Sequence, residues 1–414
     1  MIMFEEYGMN KKQGRSLSRR RTIVIFLIVV LVIAGGFFLL GTDDKVEAPS
    51  LEYPKGVSRE EQVAYIMHEH IVHKGGHPVH SFVLYAENKP EGIVIHKGVG
   101  TIGRSDTPID EEYQYKVASS TKPIVATVIL QLMEEGELSL DDPASKYLEE
   151  IAYLRFDEIH VLDGESHADE ITIDHLLQHR TGFGDIFTDT APRFFIGVFL
   201  HPKRQYSPEM IMEKFFAYKL NERPHFKPGE GYYYSDTNYV LLGLIIEQLT
   251  GDSLSDQIRQ RVLEPLEMHD TYFEFYEAEK GSGKRLNSYQ GRLDMTKYFN
   301  TSFDWGGGGL VSTTQDMATF IQALFGMELF EYESTLHLML DNSENAADGA
   351  SYARGINQYA LDGDTYYEHG GHWGSLMMYN PERDVVLSAH LAQANLPYDA
   401  EDLVKAVLEI IEAP

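Results

Sequence analysis

A serine hydroxyl is a poor nucleophile until a base takes its proton. In the run Tyr115-Lys116-Val117-Ala118-Ser119-Ser120-Thr121-Lys122, a serine and a lysine stand three residues apart. That spacing puts both on one face of a helix, within reach of each other. The apolar residues that follow, Ile124, Val125, Val128, Ile129 and Leu132, recur at three and four positions. This is the pattern of a helix buried on one side. Ser119 then falls in the first turn, where free backbone N–H groups and the positive end of the helix dipole favour developing negative charge. Ser120 is the weaker candidate, because Pro123 stands three positions on. Taken alone, Ser-x-x-Lys is a common pattern that a capping serine and a solvated lysine explain.

Two further stretches give it weight. One is Pro228-Gly229-Glu230-Gly231-Tyr232-Tyr233-Tyr234-Ser235-Asp236-Thr237-Asn238, running into the apolar segment Val240 to Ile246. The other is Glu368-His369-Gly370-Gly371-His372-Trp373-Gly374. Tyr298-Phe299-Asn300 competes with the first stretch, and His73-Lys74-Gly75 and His96-Lys97-Gly98 compete with the second. Tyr298 lacks the Pro-Gly entry and the apolar helix. In a chain with 25 Tyr, a core tyrosine is the plain alternative for Tyr234.

In this order, the three stretches resemble the serine β-lactamase and penicillin-binding superfamily, and most of all its class C and DD-peptidase branch with the related esterases. Leu176-Leu177-Gln178-His179-Arg180-Thr181-Gly182 and Gly308-Gly309-Leu310-Val311-Ser312-Thr313 support the likeness, which extends over roughly residues 60 to 410. It implies that Ser119 attacks a carbonyl and that Lys122 and Tyr234 carry the proton. The backbone N–H groups of Ser119 and His372 would form the oxyanion hole. His369 would join the catalytic group, Gly370 and Gly371 would form the strand beside the substrate, and Asp236 would touch the substrate.

The residues add their own chemistry. Lys122 in a partly apolar cleft, near another cation, would give up its proton more readily. Glycines at 370 and 371 would let a substrate backbone approach closely. Two positions depart from the best-known members. Asp236 replaces an Asn, and a carboxylate cannot donate a hydrogen bond to a substrate carbonyl. His369 replaces a Lys, so a positive charge for a substrate carboxylate exists only when the ring is protonated, and Asp236 would raise that fraction if close.

The elements that must position these groups are legible only coarsely. Arg59 to Val72 reads as an amphipathic helix and Leu403 to Ile411 as another. Phe82–Tyr85, Ile93–His96, Tyr366–His369, Ser375–Tyr379 and Val385–Leu391 read as strands. Strands at both ends with a helical middle predict an α+β fold. One antiparallel β-sheet flanked by helices, completed by the two termini, would carry a largely α-helical inserted region at roughly 140–300. The three motifs would line the cleft between the two parts.

The N-terminus carries a separate message. Lys11, Lys12, Arg15, Arg19, Arg20 and Arg21 precede an uncharged apolar run from Thr22 to Leu40. That length suffices for one transmembrane helix, and the basic side stays in the cytoplasm. The expected organisation is a basic cytoplasmic segment at 1–21, an anchor at 22–40, a linker at 41–58 and a hydrolase domain at 59–414 outside the cytoplasm. The net charge is -29, and beyond Leu40 there are 62 acidic residues against 29 basic ones. Such a surface repels nucleic acid. With no Cys, neither a disulfide nor lipoprotein anchoring is available.

No cofactor is expected, and no metal. Among His68, His70, His73, His77 and His80, the order His68-Glu69-His70-Ile71-Val72-His73 misses the helical i, i+4 spacing of zinc ligands, and Gly75-Gly76 breaks the helix before His77. The run Gly306 to Gly309 lacks the ending of a phosphate loop, so close backbone packing is the better explanation. The expected function is a membrane-anchored serine hydrolase that forms an acyl-enzyme on a D-amino-acid peptide, an ester or a β-lactam. A D-alanyl-D-alanine carboxypeptidase or a class C-like β-lactamase is the narrower form of the expectation. A slowly acylating cell-surface binding protein is the alternative of another class.

Overall fold

The computed structural model describes residues 48–413, without the side chains of Lys297 and Tyr298. The apolar run 22–40 and the basic segment before it lie outside the described residues. Among the described residues, no helix is long and apolar enough to cross a membrane.

Helix α1 (Arg59–Glu69) starts at a capping box. Ser58 accepts from the Glu61 N–H and the Glu61 carboxylate accepts from the Ser58 N–H. The helix ends before the expected Val72, because Val72 leaves it to bridge Val79. The main sheet holds β1 (Ser81–Asn88), β2 (Ile93–Gly100), β6 (Asn357–Leu361), β7 (Asp364–Gly371), β8 (Ser375–Asn380) and β9 (Val385–Leu391). Its order is β6-β7-β8-β9-β1-β2, antiparallel throughout, so strands from both ends of the chain meet where β9 pairs with β1. Residues 101–356 add no strand to this sheet.

Alternation along β1 explains the layering. Phe82, Leu84 and Ala86 pack with α1 and with α6 (Glu401–Glu412), while Val83 faces the larger core on the other side. β9 is buried along its whole length, as its apolar composition requires of a strand covered on both faces. The larger core contains α2 (Lys122–Glu134), α4 (Asp236–Thr250) and α5 (Thr314–Phe325). In chain order, α3 (Ala191–Leu200) falls between α2 and α4.

A second, three-stranded sheet positions the nucleophile. β3 (Tyr115–Lys116) pairs with β5 (Leu310–Ser312), which pairs in turn with β4 (Tyr272–Phe273). The segment just before Ser119 is thereby fixed beside the glycine run that ends at Gly309.

Candidate active site

Ser119 lies in a 3₁₀ turn, Ala118–Thr121, that leads into α2 at Lys122. Its neighbours Ala118 and Ser120 are buried, and Ser119 itself is partly open. Three hydrogen bonds press this turn against the sheet. Ser120 Oγ donates to the His369 carbonyl at 3.0 Å, Ser375 Oγ donates to the Val117 carbonyl at 2.7 Å, and Val117 N–H donates to the Leu310 carbonyl at 3.1 Å. Ser120 is thus held by backbone and turned away from the role of nucleophile.

Lys122 is fully buried. Its Nζ has three partners: Ser119 Oγ at 3.2 Å, Asp236 Oδ1 at 2.6 Å and the Gly307 carbonyl at 2.7 Å. An ammonium would donate to all three. A neutral amine would donate to Asp236 and Gly307 and turn its lone pair toward Ser119. The neighbouring cation expected from the sequence is replaced by its opposite, a carboxylate. Asp236 is the first residue of α4, where the helix dipole favours negative charge. Its carboxylate oxygen Oδ1 is tied to Lys122.

Asp236 is itself held from behind. Its N–H donates to Asp185 Oδ1 at 3.0 Å, and Asp185 Oδ2 accepts from the N–H groups of Phe187 and Thr188. Burial, and next the Asp236 charge, push the Asp185 carboxyl up to about 7.

The Tyr234 ring lies over Lys122, with Nζ 4.9 Å from its centroid, and its phenol is hydrogen-bonded to the Ser119 hydroxyl. Burial and the Asp236 charge hold that phenol well above the ordinary tyrosine range, so the resting group carries its proton. His179 packs against the same ring, with centroids 4.2 Å apart. His179 Nδ1 accepts from the Asn238 amide at 2.9 Å, which ties the Gln178-His179-Arg180 stretch to α4. Arg180 donates to the Gly229 carbonyl, to Asn345 and to Asp348, clamping the loop that enters the tyrosine motif.

His369 is buried on β7. Its Nδ1–H donates to the Gly370 carbonyl at 2.7 Å, which leaves Nε2 as the acceptor facing the Tyr352 hydroxyl at 3.4 Å. Burial, and then the Lys122 charge, push the ring down to about 3. At neutral pH the ring is therefore uncharged and supplies no positive charge for a carboxylate. Gly371 needs no substrate to explain it. A Cβ there would stand 2.1 Å from the Val117 carbonyl oxygen and 2.3 Å from Ser375 Oγ. At Gly370 a Cβ would meet only ordinary contact, at 3.6 Å. His372 follows in the turn that connects β7 to β8, with its ring exposed and packed on Trp373.

The glycine run does what close packing demands. A Cβ on Gly307 would lie 2.7 Å from Asp236 Oδ1 and 3.5 Å from Lys122 Nζ, and one on Gly308 3.2 Å from the Ala118 carbonyl carbon. Three non-glycine residues around Lys122 hold left-handed backbone: Ala118 (φ 47), His179 (φ 58) and Trp305 (φ 30). Strain of this kind persists only where the surroundings impose it, and it gathers at functional sites.

Ser119, Lys122, Tyr234, Asp236 and His369 are thus brought together, and His372 stands at the edge of the same site. Sequence reasoning missed Asp185, Tyr352 and the Gly307 carbonyl. None belongs to a spacing that signals chemistry, and a carbonyl has no signature in a sequence. The five N-terminal histidines form no joint site: among the described residues, no group of three potential ligands could hold a metal ion. His70 Nδ1 is taken by the Ile66 carbonyl, and His80 packs on Tyr289.

With this fold and site, the chain belongs to the Beta-lactamase family, whose model matches residues 69–410. It is 26% identical over 286 residues to the putative penicillin-binding protein PbpX of Bacillus subtilis, covering 67% of this chain and 61% of that protein. It is 31% identical over 176 residues to the esterase EstB of Burkholderia gladioli, covering 42% of each. The chain therefore spans less than two thirds of these relatives. Among solved structures, the D-amino acid amidase of Ochrobactrum anthropi SV3 superimposes with a TM-score of 0.69 at 22% identity, over 84% of this chain and 97% of that one.

Proposed function

We propose that this protein is a serine hydrolase that works through an acyl-enzyme formed on Ser119. The observation that carries the proposal is the threefold coordination of Lys122. Asp236 and Gly307 take two of its N–H groups, and the remaining direction points at the Ser119 hydroxyl. In its neutral form, Lys122 takes the Ser119 proton as Oγ bonds to the substrate carbonyl carbon. The carbonyl oxygen becomes the oxyanion, held by the N–H groups of Ser119 and His372, each worth roughly 3–4 kcal/mol in such holes. The bond to the leaving group then breaks. Tyr234 gives its proton to the leaving atom and takes one from Lys122. Water attacks the acyl-enzyme by the same steps in reverse.

Charge narrows the substrate. Lys122 is paired, and His369 is neutral. A peptidase that cuts next to a free C-terminal carboxylate would find no permanent cation at either place. Esters and amides without a carboxylate beside the scissile bond suit this site best, in the manner of the esterase and amidase relatives. A carboxypeptidase or a β-lactamase suits it less well. We place the enzyme at the membrane, with residues 22–40 as the anchor and the hydrolase domain outside the cytoplasm. Turnover of a short activated ester by the wild type, with loss of at least about a thousandfold in Ser119→Ala, tests the assignment. Equal rates in the two proteins would remove Ser119 from the mechanism.

A further inference from the structure

We infer that the outer side of α3, with the turn that follows it, rests on an anionic lipid surface. This inference goes beyond the hydrolase proposal and uses the proposed anchor only to bring the domain near a bilayer.

A surface helix normally turns polar residues outward. In α3 the only charged residue is Arg193. Phe194 and Val198, one turn apart, are buried. Phe199 and Leu200 are 38% and 63% exposed, and Phe195 and Ile196 keep part of their surface open. Arg193, Ile196 and Leu200 recur at three and four positions, so they share one open side. The apolar surface continues past the helix. Phe199 packs on Phe299 at 4.7 Å, and the Asn300 N–H donates to the Pro202 carbonyl at 2.7 Å. The Gln205 amide donates to the carbonyl of Phe275, whose ring is also exposed. Three of the seven large apolar side chains exposed among the described residues therefore gather here. A grouping of this kind marks an interaction surface.

Charge selects the occupant. From Thr190 to Pro208 there is no Asp or Glu, in a chain that carries 64 of them. Arg193, Lys203 and Arg204 in the same stretch are all exposed. Lys214, on the next helix (Pro208–Ala217), joins them: its Nζ and the Arg193 guanidinium both lie over the Tyr218 ring, at 5.9 and 4.3 Å. A cationic rim around an apolar face matches a bilayer with anionic headgroups. Apolar side chains enter the acyl boundary while Lys and Arg meet the phosphates. A second copy of the chain fits this face less well, because a two-fold contact through it would set two cationic patches against each other. The segment 41–58 between the proposed anchor and α1 spans at most about 60 Å, so the bilayer is within reach of the domain.

The chain has no Cys, so Leu200→Cys gives the full chain one site for a nitrobenzoxadiazole label. Tyr332→Cys places the same label on another exposed apolar position, where the backbone N–H is held by Glu134 at the end of α2. Both proteins are reconstituted in vesicles of phosphatidylcholine and phosphatidylglycerol, with and without doxyl-labelled lipid. The doxyl lipid should quench the label at 200 at least about twofold and leave the label at 332 within about a tenth of its emission. Lys203→Glu with Arg204→Glu, added to the Leu200→Cys protein, should restore most of the emission. Equal quenching at the two positions, none at 200, or quenching indifferent to the double substitution overturns the inference. Emission at 200 that is blue-shifted without vesicles and indifferent to doxyl lipid would assign the face to a second copy and overturn it too. Carbonate extraction reads the anchor separately. Release of a chain whose label at 200 was quenched removes the anchor and supports this face, whereas a retained chain with an unquenched label keeps the anchor and overturns the face.

Discussion

Lys122 and Asp236 form a buried ion pair at 2.6 Å, and the same lysine nitrogen lies 3.2 Å from the nucleophile candidate Ser119. The pair places a counter-charge on the group that must accept a proton. It holds the lysine amine in one place beside the serine hydroxyl.

Asp236→Asn tests this positioning. The amide still offers an oxygen to Lys122 but removes the negative charge. With the ion pair gone the lysine is held less firmly, and kcat/KM is expected to fall by about tenfold or more. An unchanged kcat/KM would show that Asp236 does not position the base.

Gly307→Ala should be damaging although glycine there has no unusual backbone. The added Cβ would sit 2.7 Å from Asp236 Oδ1, so the Lys122–Asp236 pair must shift. Displacement of a catalytic group by about 1 Å costs on the order of a hundredfold in rate. The expected outcome is that loss with an unchanged circular dichroism spectrum. Full activity would mean that the pair has freedom which the packing denies.

Ser120→Ala distinguishes the adjacent serines. Its hydroxyl is spent on the His369 carbonyl. Removing it should cost about 1 kcal/mol of stability, seen in denaturant unfolding, with kcat kept within about tenfold. Loss of all activity in a folded Ser120→Ala protein would reopen the choice of nucleophile.

Buried histidines set an acid limit on stability. His390 is stacked on Tyr115 at 4.2 Å, and burial pushes it down to about 3. Its folded value lies below the unfolded one near 6.5, so the unfolded chain binds the extra proton first. The neutral ring's contribution is complete above about pH 6.5 and is lost as pH falls toward 3. His390→Leu should therefore flatten the fall in unfolding free energy between about pH 7 and 5, by on the order of 1–2 kcal/mol. Parallel pH curves for the two proteins would contradict this.

How far the sequence anticipates the structure depends on what each feature rests on. The Ser119–Lys122 spacing, the Pro-Gly entry to Tyr234 and the alternation in β1 are local, and local pattern fixes local geometry. Close packing of Gly306–Gly309 was legible for the same reason, since four consecutive glycines have few other uses. The charge state of His369 was not legible. It depends on burial between β7 and Tyr352 and on the distance to Lys122, and those are set by chain segments far apart. Asp236 was visible as a departure from Asn, but its partner was not. Only the fold places the first residue of α4 against the last residue of the Ser-x-x-Lys motif.

The most direct test of the central claim is intact-mass analysis of residues 51–414 after brief exposure to a short activated ester, with Ser119→Ala alongside. A mass increase of one acyl group, mapped to Ser119 and absent from the variant, is the predicted result. The same increase on both proteins, or on neither while the ester is consumed, would contradict an acyl-enzyme at Ser119.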